Sequence, residues 1–173
     1  MELELERTFL LKEMPKDLKN CKSVEVLDIY IPQSAVHPTL RIRRQGDNYE
    51  ITKKFPIAAN DASEHHEYNI PISEKEFEGL SKLKGKRVRK IRYFYPVNNT
   101  MAEIDVFLDD LAGLALADFE FNSAEEKANF KMPDFCLADV TQEEFMAGGF
   151  LSGKKYSDIK SFLEKYNYSK VKP

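Results

Sequence analysis

The chain has 173 residues, with 26 Lys and Arg against 29 Asp and Glu and a formal net charge of −3. Near-neutrality argues against a general nucleic-acid binder, which carries a basic excess, and the length suits one domain spanning residues 1–173 with a real core. Cys21 and Cys136 have neither metal-ligand spacing nor a disulfide framework, so they read as small hydrophobes in a reducing, cytoplasmic setting. The start is charged within two residues of Met1, which argues against a signal peptide, and no apolar run approaches the roughly 20 residues that cross a bilayer.

In chain order, residues 2–11 (ELELERTFLL) alternate with a period of two. Glu2, Glu4 and Glu6 share one face and Leu3 and Leu5 the other. Three carboxylates on one face are tolerable only in water or opposite cations. Residues 12–22 read as a loop or short helix, and residues 24–31 (VEVLDIYI) as a second strand ended by Pro32. Residues 39–44 follow as a strand with Arg41 and Arg43 on one face. Gly46-Asp47-Asn48 is turn chemistry, so residues 49–54 (YEITKK) return as a hairpin partner. Residues 56–63 read as a loop and 64–72 as a strand with His65, Glu67 and Asn69 aligned. Ser73 and Glu76 form a capping box opening a helix to about Leu83.

Residues 86–95 (KRVRKIRYFY) make a basic strand with Lys90 and Arg92 on one face. Residues 101–108 return with Glu103 and Asp105 aligned, and residues 114–121 (LALADFEF) align Asp118 and Glu120. Ser123 and Glu126 predict a second capped helix, and residues 141–146 and 157–166 later ones. About eight strands joined by short turns, with a few helices, predict a mainly β (α+β) chain whose antiparallel sheet closes into a barrel or folds as a sandwich.

The charged pairs are segregated by sign. Arg41/Arg43 and Lys90/Arg92 are basic, whereas Glu4/Glu6, Glu103/Asp105 and Asp118/Glu120 are acidic. A solvated face mixes signs within a strand, and here the opposite faces are apolar and aromatic, suited to helices packed outside. The charged faces then point into the barrel, where they need neutralising. A polyanion with a divalent metal does so: Arg and Lys hold phosphate oxygens, and carboxylates hold the bridging metal.

These residues resemble the CYTH domain proteins, the triphosphate tunnel metalloenzymes. Glu4-Leu5-Glu6-Arg7-Thr8-Phe9-Leu10 lies on the family's E-x-E-x-K strand and the apolar pair after it. Leu40-Arg41-Ile42-Arg43 is similar to L-R-I-R, Ile51-Thr52-Lys53-Lys54 to L-T-x-K, and Lys90-Ile91-Arg92-Tyr93 to K-x-R-Y. Glu103-Ile104-Asp105-Val106-Phe107 is similar to E-x-D-x-F. Gly113-Leu114 through Ala117-Asp118-Phe119-Glu120 resembles G-L-x-x-A-E-x-E with Asp for the first Glu.

The resemblance implies a closed eight-stranded antiparallel barrel whose tunnel binds a triphosphate-containing small molecule with Mg²⁺ or Mn²⁺. Arg41, Arg43, Lys54, Lys90 and Arg92 are then expected to bind phosphate. Glu4, Glu6, Asp118 and Glu120, with Glu103 and Asp105 as further candidates, are expected to hold metal. Glu4, Glu6 and Lys54 are the expected catalytic set, and Glu67 falls where the family often has an inward Glu. The implied activity is metal-assisted hydrolysis of tripolyphosphate or an organic triphosphate such as thiamine triphosphate. The alternatives are an adenylyl cyclase of the same fold and a catalytically weakened polyphosphate- or nucleotide-binding module. No nucleic-acid or membrane partner is expected, and the chain is expected to be a monomer or homodimer.

One position departs from the motif: Thr8 stands where the family has Lys, a loss of roughly 1–3 kcal/mol of phosphate interaction if nothing substitutes. Arg7 has the wrong parity to replace it. His65 and His66 are adjacent in a strand, so they face opposite ways and cannot share one metal. His37 reads as a surface residue, Asp109 and Asp110 as turn residues, and Lys154 and Lys155 as a solvated loop or a tunnel cover.

Overall fold

Period-two alternation becomes strand throughout the computed structural model, which describes residues 2–58 and 61–172. The strands are β1 (Glu2–Leu11), β2 (Ser23–Ile31), β3 (Leu40–Gln45), β4 (Asn48–Ala58), β5 (Asp61–Pro71), β6 (Lys86–Val97), β7 (Thr100–Phe107), β8 (Ala115–Phe121) and β9 (Cys136–Asp139). The helices are α1 (Glu74–Leu80), α2 (Ala124–Asn129), α3 (Gly148–Leu151) and α4 (Tyr156–Glu164). The sheet order is β5-β4-β3-β2-β6-β7-β8-β1-β9, and a further β5–β1 pairing closes the first eight strands into an antiparallel barrel. One edge of β1 therefore serves two partners: residues 2–5 pair with β5 and residues 9–11 with β9. The side chain of Glu2 lies outside the described residues.

Several local expectations change. Residues 56–63 are mostly strand: β4 runs to Ala58 and β5 begins at Asp61, with Ala59 and Asn60 outside the described residues. Pro56 is tolerated because the β3–β4 register ends at Leu40–Lys53, so its missing N–H costs no ladder bond on that side. The helix expected at 141–146 is only a 3₁₀ turn, Glu144–Met146, followed by α3. Asp139 diverts the chain, its Oδ1 accepting from both Thr141 N and Thr141 Oγ1, and Gly148 and Gly149 are poor helix formers. Four-residue β9 is too short to show a period and was not anticipated.

The capping box of α1 is complete: Glu76 N donates to Ser73 Oγ at 3.3 Å, and Ser73 N donates to Glu76 Oε2 at 2.7 Å. At α2 only half forms, because Glu126 Oε2 accepts from Asn122 N instead. Gly46 sits at φ +59° in the two-residue β3–β4 turn, a conformation that favours glycine.

The core lies outside the barrel. Phe9, Leu11, Ile104, Ala117 and Phe119 project outward and are fully buried with Leu151, Ile159 and Leu163 of the C-terminal segment. The Phe9 and Phe119 rings meet edge to face at 5.7 Å. A smaller cluster seats Phe77 of α1 on Ile29 and Ile42. Each of the larger side chains among these contributes about 1.5–3 kcal/mol by burial, so the apolar faces are satisfied outside and the charged faces turn inward.

Candidate active site

The barrel interior is a cavity of about 290 Å³ lined by side chains from all eight barrel strands, including Thr8, Asp28, Tyr30, Arg41, Arg43, Lys54, Glu67, Lys90, Arg92, Asp105, Asp118 and Glu120. Antiparallel register decides who meets whom. Asp28 stands opposite Arg43, Lys54 opposite Glu67, and Thr8 opposite Asp118.

Three ionic groups fill the wall. On β2 and β3, Asp28 takes Arg43 in a bidentate pair at 2.7 and 2.9 Å, with Arg41 Nε 3.9 Å away. On β6 and β7, Asp105 accepts from Arg92 at 2.8 and 2.7 Å and from Lys90, while Arg92 also reaches Glu103. On β1 and β4, Lys54 Nζ lies 2.6 Å from Glu6 Oε1 and 2.7 Å from Glu4 Oε2. Thr8 Oγ1 donates to Asp118 Oδ1 at 2.7 Å, and Arg92 NH2 is 3.7 Å from Asp118 Oδ2.

Eight carboxylates (Glu4, Glu6, Asp28, Glu67, Glu103, Asp105, Asp118 and Glu120) thus face five cations (Arg41, Arg43, Lys54, Lys90 and Arg92). Fully ionised, the wall has an excess of three negative charges, and the proton equilibria register it. Burial, then Glu6 beside it, raises Glu4 to about 7. Burial, then Asp105 and Glu6, raises Asp118 to about 6. Burial also raises Glu120, with Glu103 adding to it. Burial alone would raise Glu6, but Lys54 outweighs it and holds that carboxyl low. Likewise, Arg92 and Lys90 overcome the burial of Asp105 and hold it at about 2.

The model of the CYTH domain family matches residues 2–132. The chain belongs to the CYTH domain family. Among its relatives, an inorganic triphosphatase of Nitrosomonas europaea is 30% identical over 143 residues, covering 82% of this chain and 91% of that protein. An inorganic triphosphatase of Acetivibrio thermocellus is 31% identical over 123 residues, covering 70% of this chain and 76% of that protein. A crystal structure of an inorganic triphosphatase superposes with a TM-score of 0.64 at 28% identity, covering 89% of this chain and 97% of the other. The Pyrococcus horikoshii PH1012 protein shares the fold, with a TM-score of 0.52 at 22% identity over 72% of this chain and 83% of its own.

Within this CYTH barrel the structure brings the expected phosphate-binding residues, Arg41, Arg43, Lys54, Lys90 and Arg92, to one cavity. The six expected acidic residues differ in availability. Asp105 and Glu103 are engaged by Arg92, whereas Glu120 has no ion-pair or hydrogen-bond partner among the described residues. Glu4, Glu6 and His65 each present a ligand atom within 4.8 Å of the others. The Lys54 ammonium, held by both glutamates, already marks that place as one where a cation is stable. The donor set therefore fits a divalent metal.

Thr8 faces inward, where the motif has Lys. Arg7 points outward, donating to Asp139 Oδ2 at 3.1 and 2.6 Å and to Phe130 O at 3.1 Å, so it ties β9 to β1. Asp28 and Tyr30 escaped the sequence reading although their parity in VEVLDIYI was visible: each aligns with the other on one face. His37 is less superficial than expected. It lies 3.3 Å from Glu144 and lines a second cavity of about 530 Å³ at one mouth, between Phe55 and Pro56 on one side and residues 140–149 on the other. That segment, rather than Lys154 and Lys155, covers the mouth. Gly148 and Gly149 let it approach, since a Cβ on Gly148 would come 2.3 Å from Tyr30 Oη and one on Gly149 2.2 Å from Pro38 O. Glu4, Glu67, Glu103 and Glu120 line the opposite mouth.

Proposed function

We propose that residues 1–173 act as one tunnel enzyme, a metal-dependent triphosphatase whose simplest substrate is inorganic tripolyphosphate. The observation that carries this reading is the segregation of five cations and eight carboxylates inside one closed barrel. Such a wall repels a bare polyanion and accepts one that arrives with divalent cations. Triphosphatases of this family are generally metal-dependent, and the curated relatives named above are inorganic triphosphatases.

Arg41, Arg43 and Arg92 present planar guanidinium groups that suit phosphate oxygens, and Lys90 and Lys54 add point charges. Asp28 and Asp105 hold Arg43 and Arg92 in place before substrate arrives, so little orientation is lost on binding. Glu4 and Glu6, with Asp118 and Glu120 across the tunnel, would hold Mg²⁺ or Mn²⁺. A metal bound there would draw charge from the phosphate oxygens and lower the pKa of an attacking water. Thr8 orients Asp118 in place of the charge a Lys would supply. The proposal includes a cytoplasmic monomer or homodimer. Among the described residues no helix is long and apolar enough to cross a membrane.

The test is phosphate release from tripolyphosphate, ATP and thiamine triphosphate, each with Mg²⁺ and with Mn²⁺. Turnover of tripolyphosphate should fall by about 10²-fold or more in Glu6→Ala. Pyrophosphate from ATP without phosphate from any substrate would replace this reading with a cyclase. Metal-dependent binding without turnover would replace it with a binding module.

A further inference from the structure

Closure of the barrel sets one contact that no single strand encodes. The β1–β5 register puts Glu4 directly opposite His65, with Leu3 opposite His66. Opposed residues in an antiparallel pair point to the same face, so His65 joins Glu4 and Glu6 inside while His66 faces out. His65 Nδ1 lies 3.6 Å from Glu6 Oε1. That separation falls between the about 3 Å and about 4.3 Å of neighbouring and opposed ligands on one ion with bonds of about 2.0–2.2 Å. Nδ1 is shut off from solvent and has no hydrogen-bond partner among the described residues, an arrangement that native interiors rarely leave unused.

We infer that the metal of this tunnel takes a nitrogen ligand, His65 Nδ1, together with Glu4 and Glu6. The inference rests on the metal-dependent reading above and deepens it. Lys54 competes for the same carboxylates, so metal binding displaces its ammonium from Glu4 and Glu6 and leaves it free for phosphate. Glu67 and Arg41, also facing this place, remain as its outer charges. An imidazole in the set has a chemical consequence. Oxygen-only sites suit Mg²⁺, whereas imidazole favours the first-row transition metals, so the site should prefer Mn²⁺ to Mg²⁺ more strongly than a carboxylate site does.

The test uses the full chain and Mn²⁺ alone, followed by pulsed electron paramagnetic resonance. Bound Mn²⁺ should show ¹⁴N coupling in the wild type, lose it in His65→Gln, and keep it in His66→Gln and His37→Gln. Mn²⁺ affinity should drop by about tenfold or more in His65→Gln, and Mg²⁺ affinity by less; a merely structural role would weaken both alike. His65→Glu should bind Mn²⁺ without ¹⁴N coupling and narrow the preference for Mn²⁺, which keeps the test open if the Gln variant folds poorly. Tight Mn²⁺ binding without ¹⁴N coupling in the wild type would overturn the histidine ligand and leave the metal-dependent reading intact. An absence of Mn²⁺ and Mg²⁺ binding would overturn both.

Discussion

Asp28 offers the sharpest test of how the tunnel is held together. It is 2% exposed, accepts two hydrogen bonds from Arg43, which is 7% exposed, and sits 3.9 Å from Arg41. Burial by itself would raise its pKa, but Arg43 and then Arg41 outweigh that and hold the carboxyl well below the usual carboxylate range. Asp28→Asn keeps the shape, removes the charge, and turns an amide N–H₂ toward a guanidinium that has only donors. Arg43 is left buried without its counter-charge, a loss of about 3–5 kcal/mol. For a chain of this size each kcal/mol is worth about 2–4 °C, so the melting temperature should drop by about 6–20 °C. The same logic predicts partial rescue: tripolyphosphate supplies the missing anion, so it should raise the melting temperature of Asp28→Asn more than that of the wild type. Thermal melts with and without tripolyphosphate and Mg²⁺ measure both. A drop under about 3 °C, or equal rescue of the two proteins, would refute the assignment of Asp28 as the buried partner of tunnel arginines that take up phosphate in the proposed function.

Stability should also depend on pH in an unusual direction. Glu4 is raised from 4.5 to about 7 and Asp118 from 3.8 to about 6, so the folded chain keeps protons that the unfolded chain has already lost. Without divalent metal, the melting temperature should therefore fall as pH rises from about 5 to about 8. His65, lowered by burial and Lys54, works against this trend. The depressed Asp28 and Asp105 act only below the ordinary carboxylate range, as pH falls. Mn²⁺ should flatten the fall by binding the ionised carboxylates, and a melting temperature that climbs steadily over this interval without metal would count against the charge excess. Thr8→Val keeps the shape but leaves Asp118 Oδ1 without its donor, and denaturant melts should show a loss of about 1–2 kcal/mol. Thr8→Lys should change turnover by less than about tenfold, because five cations already line the cavity. A gain of two orders of magnitude would mark Thr8 as the lesion of a weakened enzyme.

Much of this architecture was legible in the sequence because side-chain parity along a strand is a local property. The alternation ELELER, LRIRR, KIR and EID was enough to place like charges on one face and apolar residues on the other. With core-forming residues outward, the charged residues had to face inward, and they do. Residues 56–63 were misread because Pro56 looks like a strand breaker until the end of its neighbour β3 is known, and β9 is too short to carry a pattern.

The sequence by itself determined which face each charge occupies and which strands carry which sign. Only the tertiary structure decided which charges meet. That Asp28 takes Arg43, that Asp105 is taken by Arg92 while Glu120 has no partner among the described residues, and that Glu4 meets His65 all depend on pairing between segments distant in the chain. The last contact also depends on barrel closure, which brings the first strand to the fifth. Parity needs only the next two residues. Partnership needs the register of a neighbour, and a slip of one residue turns every side chain to the other face.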